Sequence, residues 1–161
     1  MGEMDALISE VRNPKIRALV ALCGGLGLRL SEAGKVRPED IKGGSVHVRG
    51  TKTASSVREV PILSIFAHLV EQARPELPVG PTPNNTYKRL DEARRRAKID
   101  PLSFNDLRRS FCTTLLEHGV PEDITRRFLG HTSTSMVRQV YGRTRPSSLR
   151  DQAEAAIQRS R

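Results

Sequence analysis

Residues 104–117 read Phe-Asn-Asp-Leu-Arg-Arg-Ser-Phe-Cys-Thr-Thr-Leu-Leu-Glu, and their apolar side chains recur at helical spacing. At about 100° per residue, most of the leucines and phenylalanines fall on one arc of the helix, and most of the polar side chains fall on the opposite arc. This pattern predicts an amphipathic helix from Ser103 to His118, which Gly119 ends.

One arginine of this helix lies where an apolar residue is expected. Arg108 falls in the middle of the apolar arc, and Asn105 borders the same arc. A guanidinium keeps its charge at any physiological pH, so its burial requires a partner. Two interpretations remain open: Arg108 forms an internal pair with a carboxylate, or it lies at the edge of the core and points into an anion site.

Outside this helix the chain combines one β-hairpin with further helices. Residues 45–49 alternate between polar and apolar with a period of two, residues 57–60 do so less regularly, and residues 50–56 form a long turn between them. Seven further helices are predicted, and they cover Pro14 to the Gly24-Gly25 pair, Leu30 to about Gly34, 63–73, about Thr86 to Lys98, 121–129, 133–141 and 149–159. A capping box of Ser148 and Asp151 opens the last of them. The predicted fold class is therefore mainly α with a small antiparallel β-sheet (α+β), in one domain that spans residues 1–161.

The charge of the chain points to a polyanionic partner. The 161 residues carry a net charge of +9, and the second half is the more basic, with 16 basic and 9 acidic residues after position 80 against 11 and 9 before it. Such a surface is typical of nucleic-acid binding, then of binding to an acidic membrane surface, although a merely soluble basic surface explains it about as well.

Composition also excludes several classes. The chain has no apolar run of the roughly 20 residues that a membrane span needs, and its start lacks the pattern of a signal peptide. Two cysteines, Cys23 and Cys112, are too few by themselves for a zinc site or a disulfide framework. We therefore expect a cytosolic, reduced protein that holds no metal and no cofactor.

Five short stretches resemble, in order and spacing, the signature motifs of the tyrosine recombinases, the phage integrase family. They are Gly27–Glu32 for the first arginine box, Gly50–Thr53 with Arg58–Ile62 for the lysine hairpin, Asn105–Phe111 for the His-x-x-Arg box, Leu129–Ser133 for the third box, and Tyr141 at the position of the nucleophile. The resemblance covers residues from about 15 to 145. It implies the catalytic-domain fold of that family, which type IB topoisomerases share in outline.

The resemblance also implies an activity, which is site-specific DNA strand exchange without a metal or cofactor. The implied catalytic residues are Arg29, Lys52, Asn105, Arg108, His131 and Tyr141. Tyr141 would attack a scissile phosphate and form a 3′-phosphotyrosine. Arg29 and Arg108 would stabilise the charge on the non-bridging oxygens, where a Mg²⁺ enzyme would need clustered carboxylates. His131 would hydrogen-bond the phosphate, and Lys52 would protonate the leaving 5′-oxygen.

Two features depart from the family pattern. Asn105 stands where the family usually has histidine, and an asparagine can donate a hydrogen bond but cannot act as a base at neutral pH. The family's N-terminal DNA-clamping domain is expected to be absent from this chain. Taken alone, Arg29 is better explained as a surface arginine capped by Glu32.

The resemblance further implies partners and a location. Double-stranded DNA is the expected partner, with a homotetramer assembled on it, in the cytoplasm of a bacterium or a phage-infected cell and with no membrane association. The tail helix in 147–161 carries a narrow apolar stripe, which either docks on a neighbouring subunit or folds back on its own chain.

Three other functions remain as alternatives to strand exchange. A DNA-binding module that has lost cleavage is one, and Asn105 would be its first sign. A type IB topoisomerase, which relaxes supercoils without choosing a site, is another. A helical interaction module unrelated to DNA is the most distant, because it would leave the five ordered motifs unexplained.

Overall fold

The computed structural model describes residues 2–50, 57–130 and 146–160, and it consists of helices around a small three-stranded antiparallel sheet. In chain order the elements are α1 (Glu3–Glu10), α2 (Pro14–Leu26), α3 (Leu30–Ala33), β1 (Ile41–Lys42), β2 (Ser45–Val48), β3 (Arg58–Pro61), α4 (Ala67–Ala73), α5 (Thr86–Arg96), α6 (Phe104–Glu117), α7 (Glu122–Leu129) and α8 (Pro146–Arg159), with 3₁₀ turns at Pro38–Asp40, Ser64–Phe66 and Arg74–Glu76. The predicted fold class is confirmed. The helix predicted over 133–141 lies outside the described residues.

Helix α2 forms the centre of the core. It begins where the Asn13 side chain accepts a 3.1 Å hydrogen bond from the amide of Ile16, with Pro14 at the first helical position. Ten of its 13 residues are buried, which is typical of a helix that is apolar on every side. It packs against α4 and α6, and the arginine-bearing helix α6 is thereby held against the core.

The Gly24-Gly25 pair does not end α2, contrary to the sequence prediction. The helix continues to Leu26, and Gly27 ends it in the left-handed conformation, with φ of 63°. A Cβ on Gly25 would lie 3.1 Å from Cβ of Leu69, and one on Gly24 would lie 2.7 Å from the sulfur of Met4. The two glycines therefore serve the close approach of α4 and of α1, a helix that the sequence pattern did not predict.

The predicted hairpin is present, and a short third strand extends it. The strands lie in the order β1-β2-β3, with Val46 opposite Val60 and Val48 opposite Arg58. All three valines are fully buried, so one face of the sheet packs on the core. Of the predicted turn over 50–56, residues 51–56, which include Lys52, lie outside the described residues.

Helix α8 lies on its own chain. It begins at Pro146, before the predicted cap at Ser148, and packs against β3. The carboxylate of Glu154 accepts hydrogen bonds from the backbone amide of Ser64 at 2.6 Å and from its hydroxyl at 2.7 Å. The predicted apolar stripe is buried, through Leu149, Ala153, Ala156 and Ile157. Docking of this helix on a neighbouring subunit stays a prediction.

Within the described residues, no helix is both long and apolar enough to cross a membrane.

Candidate active site

A buried carboxylate lies at the centre of the candidate site. Glu32 occupies the third position of α3, and its Oε2 accepts a 2.8 Å hydrogen bond from the backbone amide of Arg29 at the start of that helix. This is one half of a capping box, which turns the carboxylate back over the first turn. Gly27 allows the sharp turn from α2 into α3, because its φ of 63° lies in the left-handed region.

Three guanidinium groups from three different elements surround this carboxylate. Arg29, before α3, donates from Nη1 to Glu32 Oε1 at 3.1 Å. Arg58, at the start of β3, donates from Nη1 to Oε1 at 3.0 Å and from Nη2 to Oε2 at 3.2 Å. Arg108, on α6, places Nη1 3.8 Å from Oε2. The structure thus brings together two of the predicted catalytic residues, Arg29 and Arg108.

Arg108 satisfies part of both interpretations that its position on α6 left open. Its side chain is only 9% exposed, as expected from the middle of the apolar arc. Nη1 donates to the carbonyl oxygen of Gly27 at 2.6 Å, and Nη2 donates to that of Leu129 at 2.9 Å. These carbonyls lie at the C-terminal ends of α2 and α7, where helices carry negative partial charge. Glu32 is the nearby carboxylate, although it is shared with the other two arginines.

The charges of the cluster do not cancel. Three guanidiniums face one carboxylate, and the helix-end carbonyls contribute only partial charges. Burial lowers the pKa of Arg108 to about 10, with a further lowering from Arg29 that Glu32 opposes, so the group is still protonated at neutral pH. Burial alone would raise the pKa of Glu32, but hydrogen bonds from Arg58 and from the Arg29 amide outweigh it and hold that pKa below its usual value. The site therefore presents a surplus of positive charge.

The cluster is open on one side. The Arg29 side chain is 44% exposed, whereas those of Arg58 and Arg108 are about one-tenth exposed. Asn105 is exposed on the first turn of α6, three residues before Arg108 and so on a neighbouring part of the same helix. An anion can therefore reach the cluster from the side of Arg29. The other three predicted site residues, Lys52, His131 and Tyr141, lie outside the described residues.

Two members of the cluster were not assigned a role from the sequence. The sequence pattern predicts Glu32 only as a surface partner of Arg29, and Arg58 only as part of the hairpin motif. The sequence does contain a signal that Arg58 faces inward, because the period of two places it on the same face of β3 as the buried Val60. The described residues contain no group of three or more His, Cys, Asp or Glu side chains that could hold a metal ion.

Comparison with known proteins assigns a family to this fold and site. The sequence model of the phage integrase family matches residues 81–147. Tyrosine recombinase XerA from Pyrococcus furiosus is 31% identical over 175 residues, which cover 96% of this chain and 59% of XerA. The chain therefore spans less than two thirds of the length of this curated relative.

Solved structures share the fold. The integrase from mycobacterium phage Brujita superimposes with a TM-score of 0.71 at 22% identity, covering 94% of this chain and 55% of the integrase. The catalytic domain of bacteriophage HP1 integrase gives a TM-score of 0.61 at 24% identity, covering 85% of this chain and 82% of that domain. The match to the family model and the 31% identity to XerA, together with the ordered motifs, show that the chain belongs to the phage integrase family of tyrosine recombinases.

Proposed function

We propose that this chain is the catalytic part of a site-specific DNA recombinase, which cuts and rejoins DNA strands through a covalent link between Tyr141 and a 3′-phosphate. The observation that carries the proposal is the meeting of Arg29 and Arg108 at one buried carboxylate, with a surplus of positive charge and one open side. Family membership supports it, because the curated relatives are tyrosine recombinases.

The arginines would bind the phosphate that is cut. A phosphodiester gathers negative charge on its non-bridging oxygens as the attacking oxygen approaches, and preorganised cations in a site with little water stabilise that charge most strongly. Arg108 is already desolvated and its guanidinium is fixed by two carbonyls, so little reorganisation is needed when the phosphate binds. Arg29, which is more exposed, meets the incoming phosphate first.

The proposed reaction proceeds by exchange of one phosphoester bond for another. The Tyr141 oxygen gives its proton to solvent water and forms a bond to phosphorus, while the bond from phosphorus to the 5′-oxygen breaks. Lys52 gives a proton to the departing 5′-oxygen, and His131 hydrogen-bonds the phosphate. Asn105 contributes a hydrogen bond to the phosphate and no proton transfer. The 5′-hydroxyl of a second strand then attacks the phosphotyrosine and releases Tyr141.

Double-stranded DNA is the proposed partner, with several copies of the chain, most simply four, assembled on it. The net charge of +9 supports binding to a polyanion, with affinity that falls steeply as salt rises. We also propose that α8, which lies on its own chain in the single molecule, passes to a neighbouring subunit in that assembly. Its position directly after the segment that holds Tyr141 would couple cleavage to assembly.

The deciding experiment is covalent trapping. Because the target sequence is unknown, the chain is incubated with a library of randomised duplexes, each nicked so that the short cleaved fragment diffuses away and religation is prevented. Denaturing gels then detect protein–DNA adducts, and mass mapping identifies the modified residue. We expect an adduct on Tyr141. Binding of the duplexes without any adduct would favour a DNA-binding module, and relaxation of supercoiled DNA without site preference would favour a topoisomerase.

A further inference from the structure

Arg58 connects three elements that meet at the cluster. Its Nη1 and Nη2 hold the two carboxylate oxygens of Glu32, and its Nε donates to the carbonyl oxygen of Phe128 at 3.1 Å. One side chain of β3 is therefore bonded to α3 on one side and to the last turn of α7 on the other. We infer that Arg58 is a positioning residue for the reaction, an inference that rests on the proposed function.

Through Glu32, Arg58 controls the position of Arg29. Both oxygens of Glu32 are shared, because Oε1 also accepts from Arg29 Nη1 and Oε2 from the Arg29 amide. The carboxylate can keep one orientation only while Arg58 holds it by both oxygens, as a planar fork does. The Arg29 side chain is half-exposed, so the protein core does not fix it as it fixes Arg58 and Arg108. The direction of the Arg29 side chain therefore depends on its bond to this carboxylate.

Through Phe128, Arg58 also controls the end of α7, from which the chain continues to His131. Gly130 passes directly over Arg58, since a Cβ on Gly130 would lie 2.9 Å from Cδ of the arginine. Gly130 also has φ of 65°, which an L side chain rarely adopts. The end of α7 is thus fitted to the arginine side chain beneath it.

Arg58 acts through these partners and does not need to touch the phosphate. Its side chain is about one-tenth exposed, and its Nε, Nη1 and Nη2 each donate to the two groups already named. A lysine in its place would keep the positive charge but would lose the flat arrangement of three donors that reaches a carboxylate and a carbonyl at once. This difference separates a positioning role from a purely electrostatic one.

The first test compares two arginine-to-lysine substitutions in the complete chain. Arg58→Lys should lower the rate of adduct formation on the nicked duplexes about 100-fold, the effect of a displacement of about 1 Å in a catalytic group, with unchanged DNA affinity. Arg49→Lys is the matched control, because Arg49 also grips a buried carboxylate by two donors, to Asp40 at 3.1 Å and 2.7 Å. It should keep the rate of the unmodified chain. Equal rates for both variants would overturn the inference.

The second test is a pH profile. Among the described residues, the charged or titratable groups that face Glu32 are Arg29 at the start of its own helix, Arg58 on β3, Arg108 on α6 and Cys23 on α2. In Arg58→Met, Glu32 loses the hydrogen bonds from Arg58 that lower the pKa of its carboxyl, so this pKa rises. As the pH is decreased, the adduct rate should therefore begin to fall at a higher pH than in the unmodified chain. A profile of unchanged shape, lowered equally at every pH, would indicate a structural role only and overturn the inference.

The double variant Arg58→Met/Glu32→Gln keeps the test valid if a single variant unfolds. It removes both charges of the Arg58–Glu32 pair together, while Arg108 keeps its hydrogen bonds to the carbonyls of Gly27 and Leu129. We expect it to fold, to react slowly at every pH, and to lose the additional pH dependence. A rate equal to that of the unmodified chain would contradict the inference.

A measurement without DNA separates this inference from the proposed function. Inorganic sulfate should bind at Arg29 and Arg108 and raise the unfolding temperature. The sulfate concentration that gives half of this effect should rise in Arg58→Lys and stay constant in Arg49→Lys. If the unmodified chain forms no adduct with any duplex, the recombinase proposal fails, whereas the sulfate result still supports or overturns the role of Arg58.

Discussion

Arg108 donates a 2.9 Å hydrogen bond from Nη2 to the carbonyl oxygen of Leu129, two residues before His131 in the chain. The bond joins the helix that carries the second arginine motif to the end of the helix that leads into the third motif. A second bond from Nη1 reaches Gly27, two residues before Arg29. One buried guanidinium is therefore bonded to the backbone close to two other predicted site residues, Arg29 and His131.

Replacing Tyr141 by phenylalanine should abolish the covalent adduct and leave DNA binding intact, because only the proposed nucleophilic oxygen is lost. Denaturing gels measure the adduct and gel shifts measure binding. Tyr87→Phe is the control, since Tyr87 is the other of the two tyrosines and is an exposed side chain packed edge-on to Phe104. An adduct that persists in Tyr141→Phe would contradict the assignment of the nucleophile.

Lys52→Ala should slow cleavage by about two to four orders of magnitude, the usual contribution of a positioned general acid. A duplex whose bridging 5′-oxygen is replaced by sulfur distinguishes proton donation from phosphate binding, because a thiolate leaves without a proton. On this duplex Lys52→Ala should react nearly as fast as the unmodified chain, and Arg108→Ala should remain slow. If Lys52→Ala is equally slow on both duplexes, another residue is the acid.

Arg108→Ala should reduce both activity and stability. We expect the adduct rate to fall about 100- to 1000-fold, as when one preorganised donor to a developing charge is removed. The carbonyls of Gly27 and Leu129 lose a buried donor, so the free energy of unfolding should fall by about 1–3 kcal/mol. Urea titration measures it. Arg109→Ala, at an exposed neighbouring position, should change it by less than about 0.5 kcal/mol.

Glu32 should make folding stability depend on pH in the acid range. Its pKa is lower in the folded chain than the ordinary value of 4.5, so its stabilising contribution is present above pH 4.5 and is lost as pH falls through the lower folded value. The free energy of unfolding of Glu32→Gln, measured across that range, should lie below that of the unmodified chain at neutral pH. The two curves should converge as the pH decreases. Parallel curves would show that Glu32 does not carry this pH dependence.

Ile157→Ala should test whether α8 belongs to the folded core of the single chain. Ile157 is fully buried, and truncation of a buried isoleucine typically costs about 2–5 kcal/mol. We expect a loss of that size in the free energy of unfolding of the chain without DNA, and no such loss for Gln158→Ala at the neighbouring exposed position. An unchanged value for Ile157→Ala would mean that α8 finds its partner only in the assembly.

The sequence by itself determined the elements whose signals are local. Helix α6 runs from Phe104 to Glu117 within the predicted bounds, because a cap at Ser103 and a glycine at 119 act within one turn of the helix ends. The hairpin was also predicted from a local signal, the period-two alternation of its strands. The order and spacing of motifs around Arg29 and Arg108 were also sufficient to predict the family, since motif order is a property of the chain alone.

Tertiary structure decided which residues share the site and why some residues have roles that their local sequence does not indicate. The Gly24-Gly25 pair looked like a helix end because a glycine's effect on the backbone is local, whereas the partners that need its small size, Met4 and Leu69, come from other helices. Arg58 looked like an ordinary hairpin residue for the same reason. Two of its partners, Glu32 and Phe128, lie 26 and 70 residues away, and only folding brings them within hydrogen-bond distance of one guanidinium.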